Sequence, residues 1–279
     1  MTFLLSLRTY IRDSSLTQSD WFGNKMTEQH SAALLIIGNE ILSGRTQDIN
    51  TPWIAAKLAE RGIRLVEVRV VPDIEARIVE AIHDLQPKAN YLFTTGGIGP
   101  THDDITTESV AKAVGVPVVL DDEARNILLS YYKSEDQLTE ARLKMAYIPQ
   151  SAVLIANPVS GAPGYRINNI FVMAGVPMIM QAMLDHILPD LVSGVPILSN
   201  TVTCDLPESM IAIQLAAIQK AYPNIEIGSY PHFRAGELGL SVVLRSIDKE
   251  LLNEATEKVI DLIKKSGGRM QALSLKSQS

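Results

Sequence analysis

Apolar positions follow two alternating periods along this chain from residue 32 onward. Short runs of branched aliphatic and aromatic residues predict strands, and longer segments with apolar residues three or four positions apart predict helices. The strands are predicted at 33–37, 65–71 and 91–95, and the helices at 51–60, 74–85 and 107–114. This alternation predicts an α/β fold, in which helices cover both faces of a mostly parallel sheet in three αβα layers.

The pattern of the middle segment is richer in helix. Apolar spacing predicts helices over 122–132 and 139–147, and Asp121 stands where a side chain would cap the first of them. Short strands and a helix over 178–188 follow. These elements complete the first domain.

The last quarter of the chain has a different order of elements. Strands at 198–204, 226–229 and 238–244 alternate with helices at 207–221 and 249–264, which indicates a second, smaller α+β domain. Asp205 and Glu208 predict a capping box at the first of these helices. We therefore expect a disordered extension over residues 1–30, a main domain over 31–190, a small α+β domain over 195–268 and a tail over 269–279.

Composition excludes several classes of protein. The chain has 279 residues, of which 46% are hydrophobic, so it can bury substantial cores. Its formal charge of -6 argues against nucleic-acid binding, which needs a concentrated basic surface. The sequence has no run of about 18 apolar residues that would span a membrane, and a single cysteine, Cys204, excludes an intrachain disulfide. We expect a cytoplasmic protein with no nucleic-acid or membrane partner.

Three glycines follow the predicted strand that ends at Thr95. Gly96 and Gly97 interrupt the strand, and Gly99 comes two residues later. Because glycine lacks a Cβ atom, these residues can adopt positive φ, let a ligand approach the backbone and turn successive N–H groups toward an anion. Pro100 stiffens the turn that follows. This stretch predicts a phosphate-binding loop.

Two adjacent acids, Asp103 and Asp104, follow the glycines and precede a predicted helix. They would repel a bound phosphate unless a divalent cation lay between them, and Mg²⁺ takes one or two carboxylates together with phosphate oxygens. We therefore predict that Asp103 and Asp104 hold a metal ion. The alternative is an ordinary strand-to-helix loop, in which Gly, Pro, Thr and Asp serve only as turn and cap residues.

Acids follow the first two predicted strands as well. Asp73 comes directly after the second strand, at the edge where open sheets bind ligands. Its alternative role is a cap of the helix that follows. Glu40, between Gly38 and Gly44, would line the same edge, where a flexible turn is the alternative.

A later glycine loop is a candidate for a second part of the ligand. Ser160, Gly161 and Gly164 lie in this loop, between two predicted strands. Glycines there would bring backbone N–H groups close to the ligand. We expect this loop to cradle the ligand through those groups.

Five segments, in order along the chain, resemble one protein family. Residues 95–106, Thr-Gly-Gly-Ile-Gly-Pro-Thr-His-Asp-Asp-Ile-Thr, resemble the signature of molybdopterin-binding domains of the MoaB/Mog type. More narrowly, they are similar to the branch that contains competence/damage-inducible protein A (CinA) and the amino-terminal domain of eukaryotic FAD synthase. Segments 37–44, 70–73, 157–164 and 173–177 resemble other motifs of the family. The chain resembles the short form of this branch, without the amidase or synthase domain.

The resemblance implies which residues form the site. In the family, acids at the positions of Asp73 and Asp104 belong to the active pocket, so we assign both as catalytic. Ser160-Gly161 stands where much of the family has Gly followed by Thr, a departure that affects the pose of the ligand rather than the fold. The residues expected to bind the nucleotide or pterin phosphate are Gly38, Glu40, Gly44, Thr95, Gly96, Gly97, Gly99, Pro100, Thr101, Thr106, Ser160, Gly161 and Gly164.

Two functions of different classes follow from the resemblance. The first is metal-dependent hydrolysis of a nucleotide pyrophosphate such as ADP-ribose or FAD. The second is molybdopterin binding without turnover, or adenylyl transfer to molybdopterin, in molybdenum cofactor biosynthesis. The family also implies a homo-oligomer: we expect a dimer formed through the small domain, with a trimer as the alternative for a molybdenum-cofactor role.

Overall fold

A computed structural model describes residues 30–234 and 237–276 of the chain. The disordered extension expected over residues 1–30 lies outside the described residues, apart from His30, which begins the first strand. Within the described ranges, no helix combines the length and the apolar character that crossing a membrane requires.

The described residues form strands and helices in two successive groups. In chain order the strands are β1 (His30–Ile37), β2 (Ile63–Val71), β3 (Tyr91–Thr95), β4 (Val118–Leu120), β5 (Tyr147–Pro149), β6 (Val153–Ile155), β7 (Gly164–Ile167), β8 (Ile170–Met173), β9 (Leu198–Cys204), β10 (Glu226–Arg234), β11 (Glu237–Ser246) and β12 (Met270–Lys276). The α-helices are α1 (Asn39–Leu42), α2 (Asn50–Glu60), α3 (Glu75–Leu85), α4 (Thr106–Val114), α5 (Asp122–Tyr132), α6 (Glu140–Leu143), α7 (Pro177–Ile187), α8 (Ala212–Ala221) and α9 (Lys249–Lys265).

The first group builds a mostly parallel sheet in the order β2-β1-β3-β8-β7-β6. The first four strands of this order run parallel, whereas β7 and β6 are antiparallel to their neighbours. Thr95 at the end of β3 pairs with Ile36 of β1 on one side and with Met173 of β8 on the other. The carboxyl ends of the parallel strands therefore meet at one edge of the sheet. The predicted α/β class is confirmed.

The two faces of β1 pack into two separate cores. Leu34 and Ile36 contribute to a core with α2 and α7, whereas Leu35 and Ile37 contribute to a core with α3 and α4. All residues from Ala32 to Ile37 are buried, as expected for a central parallel strand whose two faces are both covered by helices.

A helical insert, residues 121–146, separates two short strands that pair with each other, β4 and β5. Its own small core contains Ala124, Leu128 and Ala146. Asp121 caps α5 as predicted, because its carboxylate accepts a hydrogen bond from the Ala124 amide at 2.8 Å. The helix predicted over 139–147 is shorter than expected: α6 gives way to a 3-10 turn, and Tyr147 already pairs in the sheet with β4.

The second group forms a smaller antiparallel sheet in the order β10-β11-β9-β12. Helices α8 and α9 cover this sheet, and Val202, Leu240 and Val259 lie in their shared core. The last strand, β12, falls in the stretch expected as a tail, so the small domain reaches further than predicted. β12 pairs with β9 and so satisfies backbone groups that would otherwise lie at the sheet edge.

The capping box predicted from Asp205 and Glu208 was wrong. The Asp205 carboxylate accepts a hydrogen bond from the Arg269 amide at 2.7 Å, and the Glu208 carboxylate accepts one from the Ser229 hydroxyl. Both acids are thus engaged by residues distant in sequence. The helix itself begins later than predicted, after a 3-10 turn over Glu208–Met210.

The linker between the two domains packs against the turn that joins α2 to β2. The Gly194 amide donates to the Arg61 carbonyl at 2.9 Å, and the Ile197 amide donates to the Ala59 carbonyl at 3.4 Å. Gly62 has a φ of 68°, and a Cβ atom there would lie 2.6 Å from the Gly194 carbonyl oxygen. Glycine is therefore needed at this turn for two reasons, conformation and space.

Replacing Gly62 with alanine should destabilise the protein more than the same change at Gly115. Gly115 also has positive φ, 75°, but a Cβ atom there would meet nothing within 4 Å. Both variants incur the cost of a left-handed residue, about 1 kcal/mol, and only G62A also displaces the linker backbone. We expect G62A to lower the free energy of unfolding, measured in urea, by about 1–2 kcal/mol more than G115A. Equal losses would show that the linker contact contributes nothing.

Candidate functional site

The loop after β3 leaves the sheet through a tight pair of glycines. Gly96 and Gly97 have φ values of 101° and 68°, a region that favours glycine. A Cβ atom on Gly96 would collide with the carbonyl oxygen of Ile37 at the end of β1. The Gly96 amide donates to the Met173 carbonyl of β8 at 3.1 Å. The loop is thus fixed against both neighbouring strands.

Three successive amides of this loop are available to a ligand. The N–H groups of Gly97, Ile98 and Gly99 donate no backbone hydrogen bond to another residue of the described ranges. Consecutive free amides beside a left-handed residue form the concave arrangement that binds anions. The phosphate-binding prediction for Gly97 and Gly99 therefore has suitable donors in the structure.

Thr106, the first residue of α4, holds the glycine turn from the other side. Its hydroxyl donates to the Gly96 carbonyl at 2.9 Å, and its amide donates to the Gly97 carbonyl at 3.0 Å. The side chain is fully buried. Thr106 is one of the predicted ligand contacts, but in this structure its polar groups position the loop.

The carboxylates of Asp103 and Asp104 converge on one hydroxyl. Thr101 Oγ1 lies 2.5 Å from Asp103 Oδ1 and 2.5 Å from Asp104 Oδ2. The Thr101 amide donates to the same Asp104 oxygen at 2.8 Å. A hydroxyl has one proton and can donate it to only one of the two carboxylates at a time. Two negative charges thus share one hydroxyl, with the Thr101 amide as a further donor to Asp104, and a cation would stabilise this arrangement.

This donor set suits a hard divalent cation. The two carboxylates and the hydroxyl offer only oxygen atoms, which Mg²⁺ prefers. Across residues 30–234 and 237–276, no group of three or more His, Cys, Asp or Glu side chains is arranged to hold a metal. Phosphate oxygens and water would therefore have to complete the coordination shell. His102 is 98% exposed, with Nδ1 4.0 Å from Asp103 Oδ1.

Hydrogen bonding lowers the pKa of the Asp103 carboxyl below its ordinary value. The largest cause is the Thr101 hydroxyl, followed by the amide of Asp103 itself, with smaller contributions from the charges of His102 and Lys144. Because the folded-state pKa is depressed, this stabilisation is present above the ordinary carboxyl range and is lost as pH falls through the lowered pKa. Asp103 is therefore ionised at neutral pH.

Asp73 connects the ends of β1 and β2. Its carboxylate accepts a hydrogen bond from the Asn39 amide at 2.8 Å, and the Gly38 amide donates to the Val71 carbonyl at 3.1 Å. Helix α3 has no side-chain cap, so the capping role weighed for Asp73 is not observed. A Cβ atom on Gly38 would lie 2.5 Å from the Glu40 carboxylate, which folds back over this glycine.

Two clefts flank the glycine loop. The Glu40 cleft is lined by Glu40 and Thr95. The Asp104 cleft is lined by Gly99 and Asp104. Both are small, with volumes of about 50 Å³ and about 10 Å³ respectively. Of the predicted ligand contacts, Glu40 and Thr95 line the first cleft and Gly99 lines the second, whereas the others line neither. Gly44 lines neither of them and lies in an exposed turn with a φ of 71°.

The loop that contains Ser160 uses its amides internally. The Asn157 side chain accepts hydrogen bonds from the amides of Val159 and Ser160, both at 3.1 Å. The Gly161 amide donates to the Asn157 carbonyl, also at 3.1 Å. Gly164 belongs to β7, where a Cβ atom would meet the Val172 carbonyl oxygen. The cradle of free N–H groups predicted for this loop is therefore not observed.

Two polar residues of the site were missing from the predicted set. Asn50 is 9% exposed, donates to the Gly175 carbonyl at 2.8 Å and lines the Glu40 cleft, and its side-chain oxygen has no partner among the described residues. Lys144 lines the Asp104 cleft. Asn50 follows the matched segment 37–44 by six residues, and this nearness in sequence could have pointed to it. Lys144 lay inside a predicted helix, and the residues that it contacts in the loop lie 43 and 40 positions earlier in the sequence.

Comparisons with known proteins agree with this architecture. Residues 33–193 match the family model described as a probable molybdopterin binding domain, and residues 196–268 match the middle domain of FAD synthase. A relative from Pyrobaculum aerophilum is 34% identical over 260 residues, which cover 87% of this chain and 98% of the relative. A Pyrococcus furiosus relative is 32% identical over 240 residues, covering 81% and 94%.

A solved structure also resembles part of this chain. The protein CinA from Thermoplasma acidophilum, whose function is described as unknown, is 35% identical. The match covers 58% of this chain and 97% of that protein, with a TM-score of 0.55. The matched part of this chain is therefore about as long as its first domain.

Removing the Thr106 hydroxyl should loosen the glycine turn. T106V leaves the buried Gly96 carbonyl without its side-chain donor, which costs about 1–3 kcal/mol of folding free energy. T106S keeps the hydroxyl and should stay within about 1 kcal/mol of the wild type. Urea unfolding of the two variants measures the difference. Equal stability of T106V and the wild type would contradict the positioning role described above.

Proposed function

We propose that this chain, which belongs to the family of probable molybdopterin binding domains, hydrolyses the pyrophosphate bond of a nucleotide such as ADP-ribose or FAD with a divalent metal ion. One observation carries the proposal: free backbone amides and two carboxylates lie on the same short loop, residues 97–104. The amides suit phosphate oxygens, and the carboxylates suit the cation that accompanies a phosphate. Their proximity favours a ligand that brings both.

The amides of Gly97, Ile98 and Gly99 would bind phosphate oxygens. Negative charge grows on these oxygens as the pyrophosphate bond breaks, and donors already fixed in place stabilise that charge without reorganising. The nearby amino end of α4 adds the positive end of its dipole. Thr106 and the Gly96 contacts supply the rigidity that this role requires.

Asp103 and Asp104 would hold the metal ion, with the Thr101 hydroxyl between them. When bound, such an ion polarises phosphoryl oxygens and lowers the pKa of a coordinated water. The depressed pKa of Asp103 favours the ionised carboxylate that a cation needs. Asp73, half-buried at the same sheet edge, orients the loop after β1 through Asn39 and is proposed as the second catalytic acid.

ADP-ribose and FAD each carry a group on either side of the pyrophosphate. The Glu40 and Asp104 clefts beside the glycine loop are too small to enclose such groups, so the two halves of the substrate would lie over them at the surface. The match of residues 196–268 to the FAD synthase middle domain adds FAD to the candidates worth testing first.

The test is AMP release by the purified full chain. ADP-ribose and FAD are incubated separately with Mg²⁺, Mn²⁺ or Co²⁺. We expect AMP only when metal is present, and D104N should lower kcat by at least about a hundredfold, because a charge-stabilising group is lost. D261N is the matched control, since Asp261 is exposed on α9 of the small domain; it should keep wild-type activity.

Two results would overturn the proposal. AMP release that persists in EDTA would remove the metal from the mechanism, and AMP release that persists in D104N would remove Asp104 from it. No AMP from either substrate with any of the ions, together with tight binding of molybdopterin in calorimetry, would favour a binding role. In that case MgATP should be added to detect adenylyl transfer to molybdopterin.

A further inference from the structure

The helical insert, residues 121–146, contacts two of the loops that contain predicted ligand residues. On one side, Lys144 Nζ donates to the carbonyl oxygens of Thr101 and Asp104, each at 2.7 Å. On the other side, the Tyr131 ring packs on Gly161, where a Cβ atom would lie 2.6 Å from Tyr131 Cγ. The insert therefore joins two loops that are far apart in sequence.

We propose that Lys144 is a positioning residue for residues 101–104, the acidic loop. Its two acceptors are the carbonyls of Thr101 and Asp104, which bracket the Asp103 side chain. Together with Asp103 between them, these two residues form the convergence of carboxylates on the Thr101 hydroxyl. Lys144 thus fixes the backbone from which both acids project. The effect of Lys144 on catalysis rests on the proposed function, whereas its effect on the conformation of the loop does not.

The acidic loop depends on Lys144 because its own backbone bonds are weak. The Asp104 amide reaches the Thr101 carbonyl only at 3.4 Å, which is a long hydrogen bond. Side-chain contacts within the loop come from Thr101, Asp103 and Asp104 themselves, and these link the loop to itself rather than to the rest of the protein.

The position of Lys144 is set by the packing of the helical insert. Lys144 begins the 3-10 turn Lys144–Ala146, and Ala146 is fully buried against Ala124 and Leu128. The Ala146 carbonyl accepts a hydrogen bond from the Asp121 amide at 3.0 Å. The backbone under the lysine is thus held by the core of the insert. Because its backbone is fixed, the Lys144 side chain can hold the acidic loop in one conformation.

Hydrogen–deuterium exchange of the full chain tests this directly. K144M removes both donors while keeping most of the length of the side chain. We expect exchange of peptides that cover residues 98–106 to become at least about tenfold faster, because two charge-assisted hydrogen bonds are lost. K144R keeps the charge and the donors and should exchange close to the wild-type rate. K144Q can replace one of the two hydrogen bonds, so its exchange rate should lie between those of K144M and K144R.

The matched control is K133M, the same substitution at an exposed lysine of the same insert. It should leave exchange of residues 98–106 unchanged. If K144M and K144Q both remain folded by circular dichroism and exchange this loop at the wild-type rate, the positioning role is overturned. If exchange stays unchanged while ADP-ribose binding is lost, Lys144 contacts the ligand directly and the positioning role is again overturned.

Enzyme kinetics provide a second readout when the wild type is active. K144M should lower kcat and raise the Mn²⁺ concentration needed for half-maximal activity by about tenfold, and K144R should restore both. A wild type without pyrophosphatase activity would remove the proposed function but not the exchange result. The two inferences can therefore fail separately.

Discussion

The close approach of the glycine loop to the central strands is the constraint on which the site depends. Gly96 packs so tightly on the Ile37 carbonyl that a side chain has no room, and Gly175 from the loop after β8 lies against Gly96 in turn. Backbones of three parallel strands thus converge where their carboxyl ends meet. The free amides, the start of α4 and the acid pair all take their positions from this convergence, since each follows Gly96 within ten residues.

Much of the fold could be predicted from the sequence because its main signals are local. The strand and helix periods indicated the mostly parallel sheet, and the strand predicted at 33–37 lies within β1, which is buried from Ala32 to Ile37. The errors concern elements that distant residues determine. β12 becomes a strand because β9 offers it an edge, and Asp205 leaves its expected cap because Arg269 supplies another donor. The dimer inferred from the resemblance stays a prediction.

The same distinction holds at the site. The glycines and acids of residues 95–106 form one continuous segment, so their grouping could be read from the sequence, although their binding and catalytic roles stay predictions. Lys144 could not be found in this way, because its carbonyl partners lie 43 and 40 residues earlier in the chain. The Ser160 loop shows a further limit: a glycine-rich motif does not reveal that Asn157 already accepts hydrogen bonds from its amides.

The linker beside Gly62 has a consequence for how the two domains behave in solution. An ordinary linker acts as a flexible tether, and its length can change at little cost in free energy. Here the Gly194 and Ile197 amides donate to the Arg61 carbonyl, at the residue that ends α2, and to the Ala59 carbonyl in its last turn. Moving the linker away from this turn would therefore leave the Arg61 carbonyl without that backbone donor. These backbone hydrogen bonds hold the linker in place, so its length is as constrained as that of a turn within a domain.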